Sequence, residues 1–521
     1  MKTGRNFLWS LCLLLPVIMM VSGCKKFLDR KPLTSTLDDL NQGGLESQIF
    51  GLYSYLRTSY GVASSLPHLA LHGFRSDDSE KGSDQLDGAE WSAPMDNFNY
   101  DKSFDGARQY WNDHYSLINL ANTALQTADS LGLTDPASVI NLAEARFFRA
   151  YAYFDLVRTF GEVPKIDFRI YQASQANIAK SPTTVIYALI DDDLQFAEAN
   201  LPATWATSSG NKYPGRLTKG AAMTLHADAH LFRKNWGQVL GLCQQVISSG
   251  MYALYTPYWK IFKDDGENSS ESIFEIQNEV TLTDDYGSIY AVTQNIRQST
   301  ASGWNLGWGW NTPTDALVNS YEAGDPRRAA TILFAGQSDD PASGGYGRTL
   351  PRWEGEPVNP GILFRKYYNK KVYADPAKRA ALNRLDYPAW INQRLYRYAE
   401  VILMAAEAAN ELGGTANATL AQTYLEMIRA RAREGNSAVL PPIAFVSQAQ
   451  MRTAIKKERR AEFGMEDKRF FDLVRWTPAT DNIDAPNALG PLGYQPKNRY
   501  YPIPQEAIDR SGGVLIQNPD Y

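Results

Sequence analysis

Three tryptophans fall within seven residues of one another, Trp304, Trp308 and Trp310, in a stretch from Ser302 to Thr312 that otherwise holds glycine, asparagine, serine, threonine and one leucine. Flat aromatic rings among small polar residues suit a non-catalytic sugar site, because sugars offer apolar C–H faces to a ring and hydroxyl edges to fixed polar groups. If the stretch is extended, Trp308 and Trp310 share a side. Trp91, flanked by Glu90 and Ser92, is a fourth candidate, and Arg75, Asp77 and Asp78 could supply the hydrogen bonds. Each tryptophan taken singly also fits a packed interior.

Other chemistry finds less support. His226 and His230 are four apart on an expected helix, but Ala227 follows His226 where a zinc peptidase needs its glutamate, so no metal site is assigned. Asp191-Asp192-Asp193 reads as the outer face of a helix, with Leu194 turned inward. The run Glu458-Arg459-Arg460 with Glu462, Arg469, Asp472 and Arg475 reads as ion pairing between helices. No nucleophile elbow, phosphate loop or dinucleotide fingerprint is present, so no catalytic residue and no cofactor is expected.

The N-terminus carries a different chemistry. Lys2 and Arg5 precede an apolar run from Phe7 to Met20 that ends at Val21-Ser22-Gly23-Cys24. A basic start, an apolar core and small residues make a secretory signal, and the run is too short to span a bilayer. Small residues before a cysteine resemble the lipobox of bacterial lipoproteins, which makes Cys24 the expected acylated first residue of the mature chain. Cys12 leaves with the signal, so Cys243 stands alone and no internal disulfide is expected. A net charge of −5 and no basic stripe exclude nucleic acid as a partner. With 44% hydrophobic residues, the 521-residue chain can fill a large core.

The scaffold that positions these groups is helical by its spacing. Helices are predicted over Leu45 to Tyr60, from Trp111 to Leu125, over Ala143 to Phe160, Thr184 to Asn200, Leu217 to Arg233, Asn235 to Ser249, Tyr396 to Leu412, Ala418 to Arg433 and within Gln448 to Trp476. They come in pairs with alanines where neighbours cross, similar to tetratricopeptide repeats without a fixed period. Two intervals lack the rhythm. One, 61–105, is expected to run over the surface, and the other, about 251–390, holds the tryptophans and a strand candidate at Ile273-Phe274-Glu275-Ile276.

Motifs spread along the chain resemble the SusD/RagB family of outer-membrane nutrient-binding lipoproteins. They are Cys24-Lys25-Lys26-Phe27-Leu28-Asp29, Glu144-Ala145-Arg146-Phe147-Phe148-Arg149-Ala150-Tyr151 through Phe160-Gly161-Glu162-Val163-Pro164, Tyr396-Arg397-Tyr398-Ala399-Glu400, Glu458-Arg459-Arg460-Ala461-Glu462-Phe463, Tyr501-Pro502-Ile503-Pro504 and Gln517-Asn518-Pro519-Asp520-Tyr521. The resemblance implies a mostly α fold of four tetratricopeptide-like helix pairs against an irregular binding half. It divides the chain into a signal peptide 1–23, a lipidated leader 24–40 and a single SusD-like domain 41–521, with the scaffold at about 106–250 and 391–480. It also implies a surface lipoprotein that captures oligosaccharide without cleaving it and sits on a SusC-like TonB-dependent barrel. Peptide is the alternative ligand, and a surface polysaccharide hydrolase the alternative activity.

Overall fold

The computed structural model describes residues 44–58, 62–299, 303–384 and 389–521, without the side chains of 89–92. The signal segment and Cys24 lie outside them. The chain divides into a unit Met1–Gln48 and a large unit Ile49–Tyr521.

Ten helices carry the scaffold: α1 Gly44–Arg57, α2 Asp105–Ser130, α3 Pro136–Phe160, α4 Thr183–Asn200, α5 Lys219–Phe232, α6 Trp236–Ser248, α7 Tyr398–Leu412, α8 Thr415–Arg433, α9 Gln448–Phe463 and α10 Arg469–Trp476. Local chemistry sets their ends. Asp135 caps α3 by accepting from the Ala137 and Ser138 amides at 3.1 Å, Pro136 occupies the first turn, and Gly161 stops the helix at φ +78°. From Ala143 to Phe160 nearly every α3 residue is buried, the mark of a helix covered on all sides.

Consecutive helices pack in chain order from α2 to α6, and α6 then packs directly on α7. The 149 residues between them are therefore extruded from a continuous helical stack. Alanines make this close approach tolerable: Ala221, Ala222, Ala227 and Ala229 on α5 and Ala405, Ala406, Ala408 and Ala409 on α7 are all fully buried.

The extruded part is built from short antiparallel pairs. The longer strands are β1 Ser79–Gly82, which comes from outside the insertion, and within it β2 Ser272–Ile276, β3 Trp310–Pro313, β4 Ile332–Phe334, β5 Tyr367–Asn369 and β6 Gln393–Arg397. β1 pairs with β3, β4 with β5 and β6 with β2. Its own core gathers Ile296, Leu306, Leu333, Leu350, Leu363, Tyr368 and Tyr373. The predicted strand at 273–276 is present, whereas Tyr396 and Arg397, expected to open a helix, close β6 instead. Most of 62–83, expected on the surface, is interior, because Leu69, Leu71 and Phe74 bury their side chains completely.

A buried charge network ties the extruded part to the last helices. Glu462 on α9 pairs with Arg431 of α8, Arg397 of β6 and Arg327, and Glu271 pairs with Arg397 and Arg431. Lone charges would not tolerate such burial, so this many paired groups fix the mutual placement of the elements.

Candidate functional site

The tryptophan loop is seated by backbone contacts. The amides of Leu306 and Gly307 donate to the Ile296 carbonyl at 2.8 and 3.0 Å, that of Trp308 to Val292 at 2.9 Å and that of Gly309 to Asn295 at 2.8 Å. A side chain at Gly307 would meet the Val292 carbonyl at 2.2 Å, so the glycine is what allows this approach. Gly309 takes φ +72°, which ends any extended run across Trp308 and Trp310 and removes the shared-side expectation. Trp310 enters β3 opposite Gly82 and is buried, with its ring 6.3 Å from that of Phe74 and the Lys81 ammonium 5.0 Å away. Trp304 and Trp308 stay half-buried, and Trp304 packs on the core of the extruded part with Trp353 and Tyr346.

Polar groups converge beside this loop. The Ser83 amide donates to the Gly309 carbonyl at 2.5 Å. The Ser83 hydroxyl donates to Asp87 at 2.8 Å and accepts from Arg297 at 3.1 Å, while Arg297 and Asp87 form an ion pair with each side chain about a third exposed. Arg365 donates to the Gly82 carbonyl at 3.1 Å. Across the loop the Arg348 guanidinium lies 3.7 Å over the Trp304 ring and covers one face of that indole.

Lys81 positions the group. Its ammonium donates to the carbonyls of Gly82, Asp84 and Asp87 at 3.3, 2.7 and 2.7 Å, using all three protons to shape the 82–87 loop. Burial pushes the Lys81 ammonium down, and burial likewise pushes Asp96, which accepts from the Lys81 amide at 2.8 Å, up to about 7. The arrangement can bind a ring on an aromatic face and hydrogen-bond its edge through a neutral Arg–Asp–Ser trio.

The other expected site residues are placed differently. Arg75 is fully buried, its guanidinium 4.0 Å from the Phe470 ring centre and its Nε donating to the Leu71 carbonyl. Asp77 accepts two bonds from Arg469 at 2.7 and 3.0 Å, and Asp78 accepts from Arg460 at 2.7 Å. These three groups, expected to face a ligand, are spent on holding 75–78 to α9 and α10. Trp91 falls in a helix Ala89–Asp96 and its side chain lies outside the described residues. Asp193, expected on an outer face, is buried against Arg149 by two bonds of 2.7 Å.

Two groups of His and carboxylate come together, Asp191 with His226 and His230, and His68 with His72 and Asp155. In each an arginine already sits on the carboxylate, Arg233 on Asp191 and Arg158 on Asp155. A metal cation there would meet that charge at close range. Arg297, Asp87, Ser83, Arg348 and Trp353 were not singled out from sequence, since none belongs to a spaced motif.

Two family models match this chain. One, described as the SusD family, matches residues 270–521, and the other, described as starch-binding and associating with the outer membrane, matches 52–231. SusD-like protein P2 of Formosa agariphila is 29% identical over 425 residues, 79% of this chain and 80% of that one. Starch-binding protein SusD of Bacteroides thetaiotaomicron is 24% identical over 440 residues, 75% of this chain and 74% of that one. A solved laminarin binding SusD-like protein superposes with a TM-score of 0.72 at 26% identity, covering 92% of this chain and 99% of the other. Among the described residues no helix is long and apolar enough to cross a membrane. With both halves matched in order and the whole helical stack superposing on a solved relative, the chain belongs to the SusD-like family.

Proposed function

We propose that the protein captures oligosaccharide at the face formed by Trp304, Trp308, Ser83, Asp87 and Arg297, and passes it on without cleaving it. The observation that carries this reading is the half-buried Trp308 beside a charge-balanced Arg297–Asp87–Ser83 trio on the extruded part of the fold. A balanced trio favours a neutral ligand over an anionic one, because no uncompensated cation faces outward from it. The named relatives that bind starch and laminarin support a neutral glycan, and glucans are the first class to test.

Residues 1–23 act as signal peptide, Cys24 carries the lipid, residues 24–40 form a leader and 41–521 a single SusD-like domain on the outside of the outer membrane. Several acyl chains on one cysteine anchor firmly where one would not. The receiving partner is a SusC-like TonB-dependent transporter, over which the domain sits as a lid.

The test is calorimetric titration of the soluble body, beginning at Lys25, with neutral glucan oligosaccharides, assayed in parallel for released product. Binding without product is expected, and Trp308→Ala should weaken it at least about tenfold, about 1.4 kcal/mol. Equal binding by the variant would remove this face from the site, and product release would replace capture by hydrolysis.

A further inference from the structure

A cavity lies on the helical stack, away from the tryptophan loop in sequence and built by other elements. It encloses about 290 Å³ where the start of α6, the end of α7, α9 and the segment after α10 converge. Trp236 and Trp476 form its apolar walls, and Glu411 and Arg452 are among its polar lining. The two tryptophans differ. Trp476 is buried, its indole N–H donates to Glu407 at 2.9 Å, and its ring lies 4.9 and 5.1 Å from the cations of Arg475 and Lys456. Trp236 is half-buried at the first position of α6 and enters no side-chain hydrogen bond, ring stack or cation–π contact among the described residues.

The polar wall is preorganised. Arg452 donates to Glu411 through Nε at 2.6 Å and through Nη2 at 2.8 Å, a planar two-bond fork with both side chains partly open to solvent. Such a fork keeps unused donors and lone pairs at its edges in fixed positions. Hydroxyls that both donate and accept can bridge them without disturbing the pair. Lys234, also lining the cavity, holds φ +59°, a left-handed conformation a lysine adopts at a cost. An open indole, a planar ion pair and a volume near the lower end for small-molecule sites fit one sugar ring, its C–H face on Trp236 and its hydroxyls on Arg452 and Glu411.

We propose that this cavity is a second carbohydrate pocket, sized for a single neutral pyranose at the end or branch of a chain held elsewhere. The proposal rests on the reading of the protein as a glycan binder. Two pockets on one body would let a branched or long polysaccharide be held at two points, raising its effective affinity above that for a short oligosaccharide.

The test labels the protein with 5-fluorotryptophan and follows the fluorine resonances of Trp236 and Trp308, assigned with single Trp→Phe variants, during titration with glucose, laminarihexaose and maltoheptaose. Movement of the Trp236 signal whose midpoint is weakened about tenfold in Arg452→Gln, with the Trp308 titration unchanged in that variant, supports the pocket. Arg452→Gln removes a partly exposed pair, and the variant's Tm, measured alongside, separates binding from stability. A moving Trp308 signal with a still Trp236 signal overturns the second pocket and leaves the first face standing. Stillness of both with no heat of binding overturns the two together, and movement of Trp236 alone supports the pocket and refutes the first face.

Discussion

Replacing Glu462 by glutamine tests whether the arginine-rich run of α9 is structural or a ligand site. Glu462 is fully buried, pairs with Arg397 at 3.0 Å, Arg327 at 3.2 Å and with Arg431, and its backbone carbonyl accepts from Tyr258 at 2.6 Å and Lys371 at 3.2 Å. Burial alone would raise the carboxyl, but Arg431, Arg397 and Arg327 outweigh it and hold it well below the usual carboxylate range. Removing one member of a buried pair costs about 3–5 kcal/mol. Each arginine keeps another partner, since Arg431 retains Glu271 at 2.8 Å, Arg397 retains Glu466 at 2.8 Å and Arg327 retains Asp325 at 2.8 Å. The lower end, about 3 kcal/mol, is therefore expected. An unfolding entropy of about 2.1 cal/mol/K per residue amounts to about 1 kcal/mol/K for the unit Ile49–Tyr521, so Tm should fall by about 3 °C in scanning calorimetry. A depressed carboxyl stabilises above its unfolded pKa of about 4.3 and loses that contribution as pH falls toward the folded value. The wild type should therefore lose stability below about pH 4 more steeply than Glu462→Gln. Glycan affinity should stay within about twofold of wild type. An unchanged Tm together with lost binding would refute the structural reading and make the run a ligand site.

Three further outcomes follow from the tryptophan face. Gly309→Ala forces a side chain into the left-handed region with its Cβ 2.7 Å from that of Arg297, and should cost about 1–3 kcal/mol in chemical denaturation while weakening glycan binding, since Arg297 must move. Lys81→Met strands the loop carbonyls it holds, and should lower stability by about 1–3 kcal/mol and reduce affinity; unchanged affinity would show that the 82–87 loop is not part of the site. Asp96 has its carboxyl raised by burial to about 7, so the folded state binds more protons than the unfolded between about pH 4 and 7 and this group's contribution to stability declines as pH rises through that window. Asp96→Asn should flatten that decline in denaturation midpoints measured from pH 5 to 8, and an identical slope would refute the assignment.

The helices were legible because each buries a stripe or a whole surface and so repeats its apolar residues at helical spacing. α3 is the clearest case, with Phe147, Tyr151, Phe154 and Val157 all buried and Asp135, Pro136 and Gly161 marking its ends. The continuity of the stack was not legible, because α6 and α7 are neighbours in space across a long insertion and no local pattern records that contact. The proposed face was half legible. The tryptophans announced themselves by composition, but Arg297, Asp87 and Ser83 lie in unrelated stretches and meet only when the backbone of 303–309 docks on 292–297.

Sequence alone therefore determined what local chemistry determines: a basic and then apolar N-terminal run that ends at Cys24, the helical repeats, and the presence of an aromatic, glycine-rich insertion. Tertiary structure decided which of its polar groups are available. Arg75, Asp77 and Asp78 look as free as Arg297 and Asp87 when written in a line. Long-range pairing with Arg460 and Arg469 and stacking on Phe470 bury the first three, while the 82–87 loop leaves the last two at the surface. Burial depends on which distant segments arrive opposite a residue, and a one-dimensional pattern carries no term for that.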